Sequence, residues 1–251
     1  MRTKIIAIIL IFAVSLSITG CMSNEGESNV ENNGYVVGNT TSKPTSVPTD
    51  NAPLITNATI DEVSLAMNAY RDVLNNKTKF ISSDHEKAVF LDDFLTDKEI
   101  YGAIYKPMHF TVLDMDGDEV PEVIIELVVG DDVQFYEILH YLNSEVYGYL
   151  RVLRGLMQLK TDATFTYSNG AADNGISKVE FDSTGSISDT VLGYSESSFD
   201  KGNITISYFV NDEPVTEEYY LLLLEEQDEK KDAMWYEFSE DSIETEFTLN
   251  P

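Results

Sequence analysis

From residue 58 onward the apolar positions recur first at helical and then at strand spacing. Val63, Ala66, Met67, Tyr70, Val73 and Leu74 share one helical face, which predicts an amphipathic helix over residues 60–75 opened by the capping box TIDE at 59–62. Residues 84–95 repeat the pattern more weakly, with Ala88, Leu91, Leu95 and Phe94 inward, and predict a second helix. Its adjacent Asp92 and Asp93 would point to different sides of that helix, so they read as solvated acids rather than a carboxylate pair. The spacing then changes to two. Residues 110–129, FTVLDMDGDEVPEVIIELVV, are an apolar strand, a burst of carboxylates and a second apolar strand. In that second strand Val123, Ile125, Leu127 and Val129 fall on one face, and Glu122, Ile124, Glu126 and Val128 on the other.

Gly130, Asp131 and Asp132 predict a turn back into a strand over 133–142. If those three residues are the whole loop, Val129 pairs with Val133, Glu126 stands opposite Tyr136, and Glu122 stands opposite His140. That register puts an imidazole beside an acid of the loop; the alternative is a histidine hydrogen-bonded on a half-buried sheet face. Asn143 and Ser144 make the next turn, and short strands follow over 145–153, 164–167, 176–182, 190–194 and 204–210, broken by Gly, Asn, Asp and Ser. Pro214 and Thr216 open a helix to about residue 229 with Tyr219, Leu222 and Leu223 toward the sheet. Residues 234–238 form a last strand holding the only tryptophan, Trp235, and Ser239 caps a terminal helix. Trp235 and the tyrosines suit either a stacking platform for sugars or, at strand spacing, core and cross-strand pairs. The expected fold class is α+β: an antiparallel β-meander sheet flanked by N-terminal and C-terminal helices.

Ahead of this domain the pattern differs. Arg2 and Lys4 precede an apolar run over 5–18 that is too short for a membrane span with these flanks, which predicts a signal peptide over 1–20. Ile18-Thr-Gly-Cys21 resembles a lipobox, and Cys21 is the only cysteine in 251 residues. A single thiol at a new N-terminus suits lipidation and excludes a disulfide framework. Two palmitate-type acyl chains would anchor it stably where one would only dwell. Residues 21–57 are Ser, Thr, Asn, Gly and Pro with few large apolar side chains, a composition that buries too little surface to offset ordering and predicts a disordered tether. The expected organisation is therefore signal peptide, tether and a single α+β domain over 58–251, on the extracytoplasmic face of the cell membrane. The membrane is met through lipid on Cys21.

Charge narrows the partners. Removing the signal leaves 14 basic against 44 acidic residues, a net charge of −30. That field repels nucleic acid and anionic polymers and attracts cations, leaving a cationic, peptide or glycan ligand as the open classes.

The acidic burst carries the most specific chemistry. Asp114, Asp116, Asp118 and Glu122 stand at positions 1, 3, 5 and 9 of a loop, with the carbonyl of Val120 at position 7. Hard cations such as calcium take six to eight oxygens, and acids at alternate positions of a tight loop supply them. Such acids repel one another without a cation, and Gly117 lets the backbone turn without Cβ strain. The run Asp114-Met-Asp116-Gly117-Asp118-x-x-Pro121-Glu122 after Phe110-Thr-Val-Leu113 resembles the calcium loops of FG-GAP and VCBS-type extracellular repeats. It is also similar to the D-x-D-G-D-x-x-P-E segment of uncharacterised lipoproteins of Gram-positive bacteria. That second resemblance extends through residues 146–150, 169–175 and 235–238 and implies no activity. Position 6 is Glu119 where such loops carry glycine, and position 12 is Ile125, so the loop is not an EF-hand. The alternative reading is an acidic, solvated turn.

Two functions follow from different classes. One is a non-enzymatic binding or accessory module stabilised by calcium; the other is a metal-dependent hydrolase of wall or extracellular polymer. Against the second, there is no H-E-x-x-H and no G-x-S-x-G, and His85, His109 and His140 fall in different predicted elements. A pair such as Glu122 and Glu126 could serve a glycosidase, whose acids stand about 5 to 9.5 Å apart, but 44 acids offer many such pairs.

Overall fold

The computed structural model describes residues 60–98 and 102–249, all within one compact unit, Pro53–Pro251. The expected signal peptide, Cys21, the expected tether and Thr59 of the expected capping box lie outside the described residues.

The chain opens with helix α1 (Ile60–Leu74), the hairpin β1 (Phe80–Ser82) and β2 (Lys87–Val89), and the short helix α2 (Leu91–Thr96). Four long strands follow: β3 (Lys106–Leu113), β4 (Glu122–Val129), β5 (Asp132–Leu142) and β6 (Glu145–Val152). A second group comprises β7 (Phe165–Ser168), β8 (Asn174–Phe181), β9 (Ile187–Asp200), β10 (Asn203–Val210) and β11 (Glu213–Val215). Helix α3 (Glu217–Glu229), the two-residue β12 (Tyr236–Glu237) and helix α4 (Glu240–Leu249) close it.

The fold is α+β, but the expected single meander is two sheets. A seven-stranded sheet runs β12-β3-β4-β5-β6-β1-β2 and a five-stranded antiparallel sheet runs β11-β10-β9-β8-β7. The break falls after β6, where a 3₁₀ turn at Leu153–Gly155 carries the chain into the second sheet. The first sheet is mixed because β1 lies parallel to β6 through Ile81 and Tyr147.

Strand β4 explains the layering. Its burial is nearly continuous, since both faces are covered. Val123, Ile125 and Leu127 meet Tyr70 of α1, Phe94 of α2 and Phe247 of α4 in one core, while Ile124 joins Ile138, Phe165 and Val179 in a second core between the sheets. The face assignment read from period two thus holds, and each face has its own apolar partner. The sheets are also joined at the surface by Arg151 of β6, whose two N–H groups reach Asp189 of β9 at 2.8 and 2.7 Å.

Three local expectations change. The second helix begins at Leu91 rather than residue 84, because residues 80–89 form a hairpin that buries Phe80 and Val89 and holds Asp84 against the amide of Leu150. Tertiary pairing outweighs the weak helical period there. Helix α3 is capped by the Thr216 hydroxyl on the Tyr219 amide and turns Tyr220, Leu223 and Gln227 inward, leaving Tyr219 and Leu222 exposed. The last strand is only Tyr236–Glu237, so Trp235 stands just outside it.

The β4–β5 turn is one residue tighter than expected: Val129 pairs with Asp132. A bulge between Leu127 and Val128 then absorbs an extra residue of β5, so that Glu126 still faces Tyr136 and Val123 faces Leu139.

Candidate metal centre

The loop between β3 and β4 folds onto its own carboxylates. Asp114 accepts hydrogen bonds from the amides of Gly117 (2.7 Å) and Glu119 (3.1 Å), Asp116 from Asp118 (3.2 Å), and Asp118 from Val120 (2.7 Å). Asx turns of this kind are what aspartates at alternate positions produce locally. Gly117 takes φ +85°, and Glu119, at position 6 of the loop, takes φ +74°. The backbone therefore adopts the glycine conformation without a glycine, at a cost of roughly 1–2 kcal/mol.

Glu122 closes the site from the first residue of β4. Its side chain is fully buried; one oxygen accepts from the Met115 amide (2.7 Å) and the other lies 2.8 Å from Nδ1 of His140 on β5. The proposed imidazole neighbour is thus in contact. His140 stacks on Phe181 of β8, with ring centroids 3.9 Å apart and planes within 4°, so the second sheet braces the residue that orients Glu122. Sequence reasoning missed Met115, whose side chain is buried between the sheets while its amide holds Glu122. An apolar residue between two loop aspartates was the available signal.

Of the five expected ligands, Asp114, Asp116 and Glu122 offer oxygens that all lie within 4.8 Å of one another. Asp118 is exposed and outside this group; Val120, expected to offer its backbone carbonyl, buries its side chain in the core on the helix side. The convergent donors are all carboxylate oxygens, which suits a hard cation such as calcium better than zinc. Each oxygen of Glu122 has one protein partner, yet an ionised carboxylate offers about four lone-pair sites, so ligation stays open to it. Three carboxylates supply only part of a six- to eight-oxygen shell, with water or carbonyl groups needed for the rest.

Electrostatics agree with an uncompensated cluster. Burial pushes the Glu122 carboxyl well up, and the charges of Asp116, Asp118 and Asp114 add to this against the Met115 hydrogen bond. Asp116 is raised by burial and by Asp118. Burial lowers His140, against the pull of Asp116 and Asp118. A divalent cation would reverse the sign of the field felt by all three groups. Access is through a cleft of about 280 Å³ between the loop and β8, lined by Asp114, Asp116, Gly117, Asp162, Lys178 and Glu180.

The other histidines are tied elsewhere. His85 bonds Ser82 and Asp97, and His109 bonds Glu126 at 2.7 Å. Glu122 and Glu126 lie four residues apart on β4, about 13 Å along the backbone at ~3.3 Å per residue, and their carboxyls are bonded to different partners, His140 and His109. No family model matches the chain, and no curated protein or solved structure does.

Proposed function

We propose that the protein is an extracytoplasmic lipoprotein, anchored through lipid on Cys21, whose globular part binds calcium on loop 114–122 and acts as a non-enzymatic binding or accessory module. The scaffold is the β3–β6 meander with the terminal helices α1 and α4 on its outer face, and what supports that arrangement is their shared core with Phe110 and Ile125. The observation that carries the metal reading is the convergence of Asp114, Asp116 and Glu122 in a loop whose amides are already bonded to its own acids.

The test is thermal unfolding with calcium, with EGTA, and with sodium chloride at matched ionic strength. Extracellular calcium modules bind at about 10⁻⁴ to 10⁻³ M, so ~2 mM calcium on a Kd of ~0.1 mM stabilises by about 1.8 kcal/mol, a rise of roughly 4 to 7 °C. Asp116→Asn should abolish the rise, and Asp118→Asn, outside the convergent group, should keep most of it. A full rise in Asp116→Asn, or an equal rise in sodium chloride, would reduce the loop to an acidic turn.

A further inference from the structure

A second cleft, separate from the metal loop, opens where the core between the sheets reaches the surface. It encloses about 340 Å³, at the lower end of the roughly 300–1,000 Å³ typical of small-molecule sites, and is lined by Glu126, Tyr136, Gln158, Leu159, Asp232 and Trp235. Glu126 and Tyr136 are cross-strand partners on the sheet face opposite the helices. Trp235 leans on Tyr136 with ring centroids 5.9 Å apart at 41°, half-buried rather than packed away.

The polar groups of this cleft are held in place but only half used. Glu126 spends one oxygen on His109, Asp232 one oxygen on Lys160 (2.7 Å), and the Gln158 carbonyl accepts from the Thr166 hydroxyl (3.1 Å). Among the described residues the second carboxylate oxygens and the Gln158 amide N–H groups have no partner. The Tyr136 hydroxyl and the Trp235 indole N–H have no hydrogen-bond partner among the described residues. Burial and Glu126 push the Tyr136 hydroxyl up to about 12, so it stays a donor at any physiological pH. Gln158 is held at φ +50°, a left-handed conformation that a glutamine adopts only when its surroundings impose it.

Three ligand chemistries compete for such a site. An anion would find no free cation, since the Lys160 side chain is only 3% exposed and is committed to Asp232 and the Asp228 carbonyl. An organic cation would use the aromatic faces and carboxylates but leave the Tyr, Trp and Gln donors idle. A neutral sugar has an apolar C–H face for an aromatic ring and a rim of hydroxyls that both donate and accept, which uses every group present. We propose that this cleft binds a neutral pyranose unit of a glycan, stacked on Trp235 and hydrogen-bonded by Glu126, Gln158 and Tyr136. The proposal rests on the binding-module reading and is independent of the metal loop.

Because Trp235 is the only tryptophan in the chain, its emission reports this cleft alone. The full chain, in a sugar-free polyoxyethylene detergent, is titrated with cellotriose, maltotriose and chitotriose, and with tetramethylammonium chloride as the cation probe, each in calcium and in EGTA. At least one trisaccharide should give a saturable emission change in one or both buffers, with no saturable response to tetramethylammonium. By calorimetry, Glu126→Gln and Gln158→Ala should weaken that sugar about tenfold each, which is a loss of ~1.4 kcal/mol, at an unchanged thermal midpoint. Silence with all three sugars in both buffers overturns the proposal. So does saturation by tetramethylammonium, or sugar binding that both variants leave intact. A sugar response in EGTA stands even if the calcium test fails, so the two readings fail separately.

Discussion

Glu137 is the residue least expected from its surroundings. It sits on β5 opposite Ile125 and Leu150, fully buried, and neither carboxyl oxygen has a hydrogen-bond partner among the described residues. Its room is made by Gly148, where a Cβ would meet Glu137 Oε1 at 2.3 Å and the Phe80 ring at 2.4 Å. Burial, and then the charge of Asp84, push the carboxyl well above its ordinary 4.5. Between 4.5 and that raised value the folded chain holds a proton that the unfolded chain has released, so stability from this group is complete below 4.5 and is lost as pH rises. Glu137→Gln removes the titration while keeping the shape. The melting temperature of the wild type should therefore fall more steeply than that of Glu137→Gln from pH 5 to 8, and parallel curves would show that Glu137 is not buried as a neutral acid. Nothing in the sequence announces this residue. In the run VQFYEILHYL it reads as an ordinary polar position of an amphipathic strand, and only the helices on the far face turn it inward.

At the level of elements, legibility followed how local the determining physics was. The acidic loop and β4 were readable because Asx turns and period two are set by neighbours a few residues away. The hairpin at residues 80–89 was not, since its pairing with β6 joins residues more than sixty positions apart. The β4–β5 register came out right through two departures that cancel, a turn one residue shorter and a bulge one residue longer. A testable consequence is that deleting Gln134, the residue between Val133 and Phe135, should regularise the ladder and leave Glu126 opposite Tyr136. That variant should fold and keep its calcium-induced rise in melting temperature, whereas deleting Ile138, within the regular ladder, should invert every later face and prevent folding. Loss of the calcium rise in the Gln134 deletion would place the bulge elsewhere.

For the whole molecule, charge and address belong together. A chain at −28 has little electrostatic attraction for an anionic bilayer, so on the lipoprotein reading membrane association should depend on lipid alone. Wild-type protein should sediment with membranes and resist release by high salt, while Cys21→Ala should accumulate unprocessed or appear in the soluble fraction. Equal partition of the two forms into the soluble fraction would end the lipoprotein reading. The second sheet was hidden at this scale because its strands share the turn-rich pattern of the first, and nothing in a period-two signal says which sheet a strand joins.

Strand β4 runs from Glu122, which closes the acidic loop, through Ile124 and Ile125, which are buried in opposite cores. One backbone is thus common to a surface loop and to both apolar layers. Pulling that strand out would open the loop, the helix layer and the inter-sheet layer together, so the three have no way to melt in separate steps. Any stabilisation gained at the loop is accordingly shared by the entire domain: the tie that β4 provides is cooperativity.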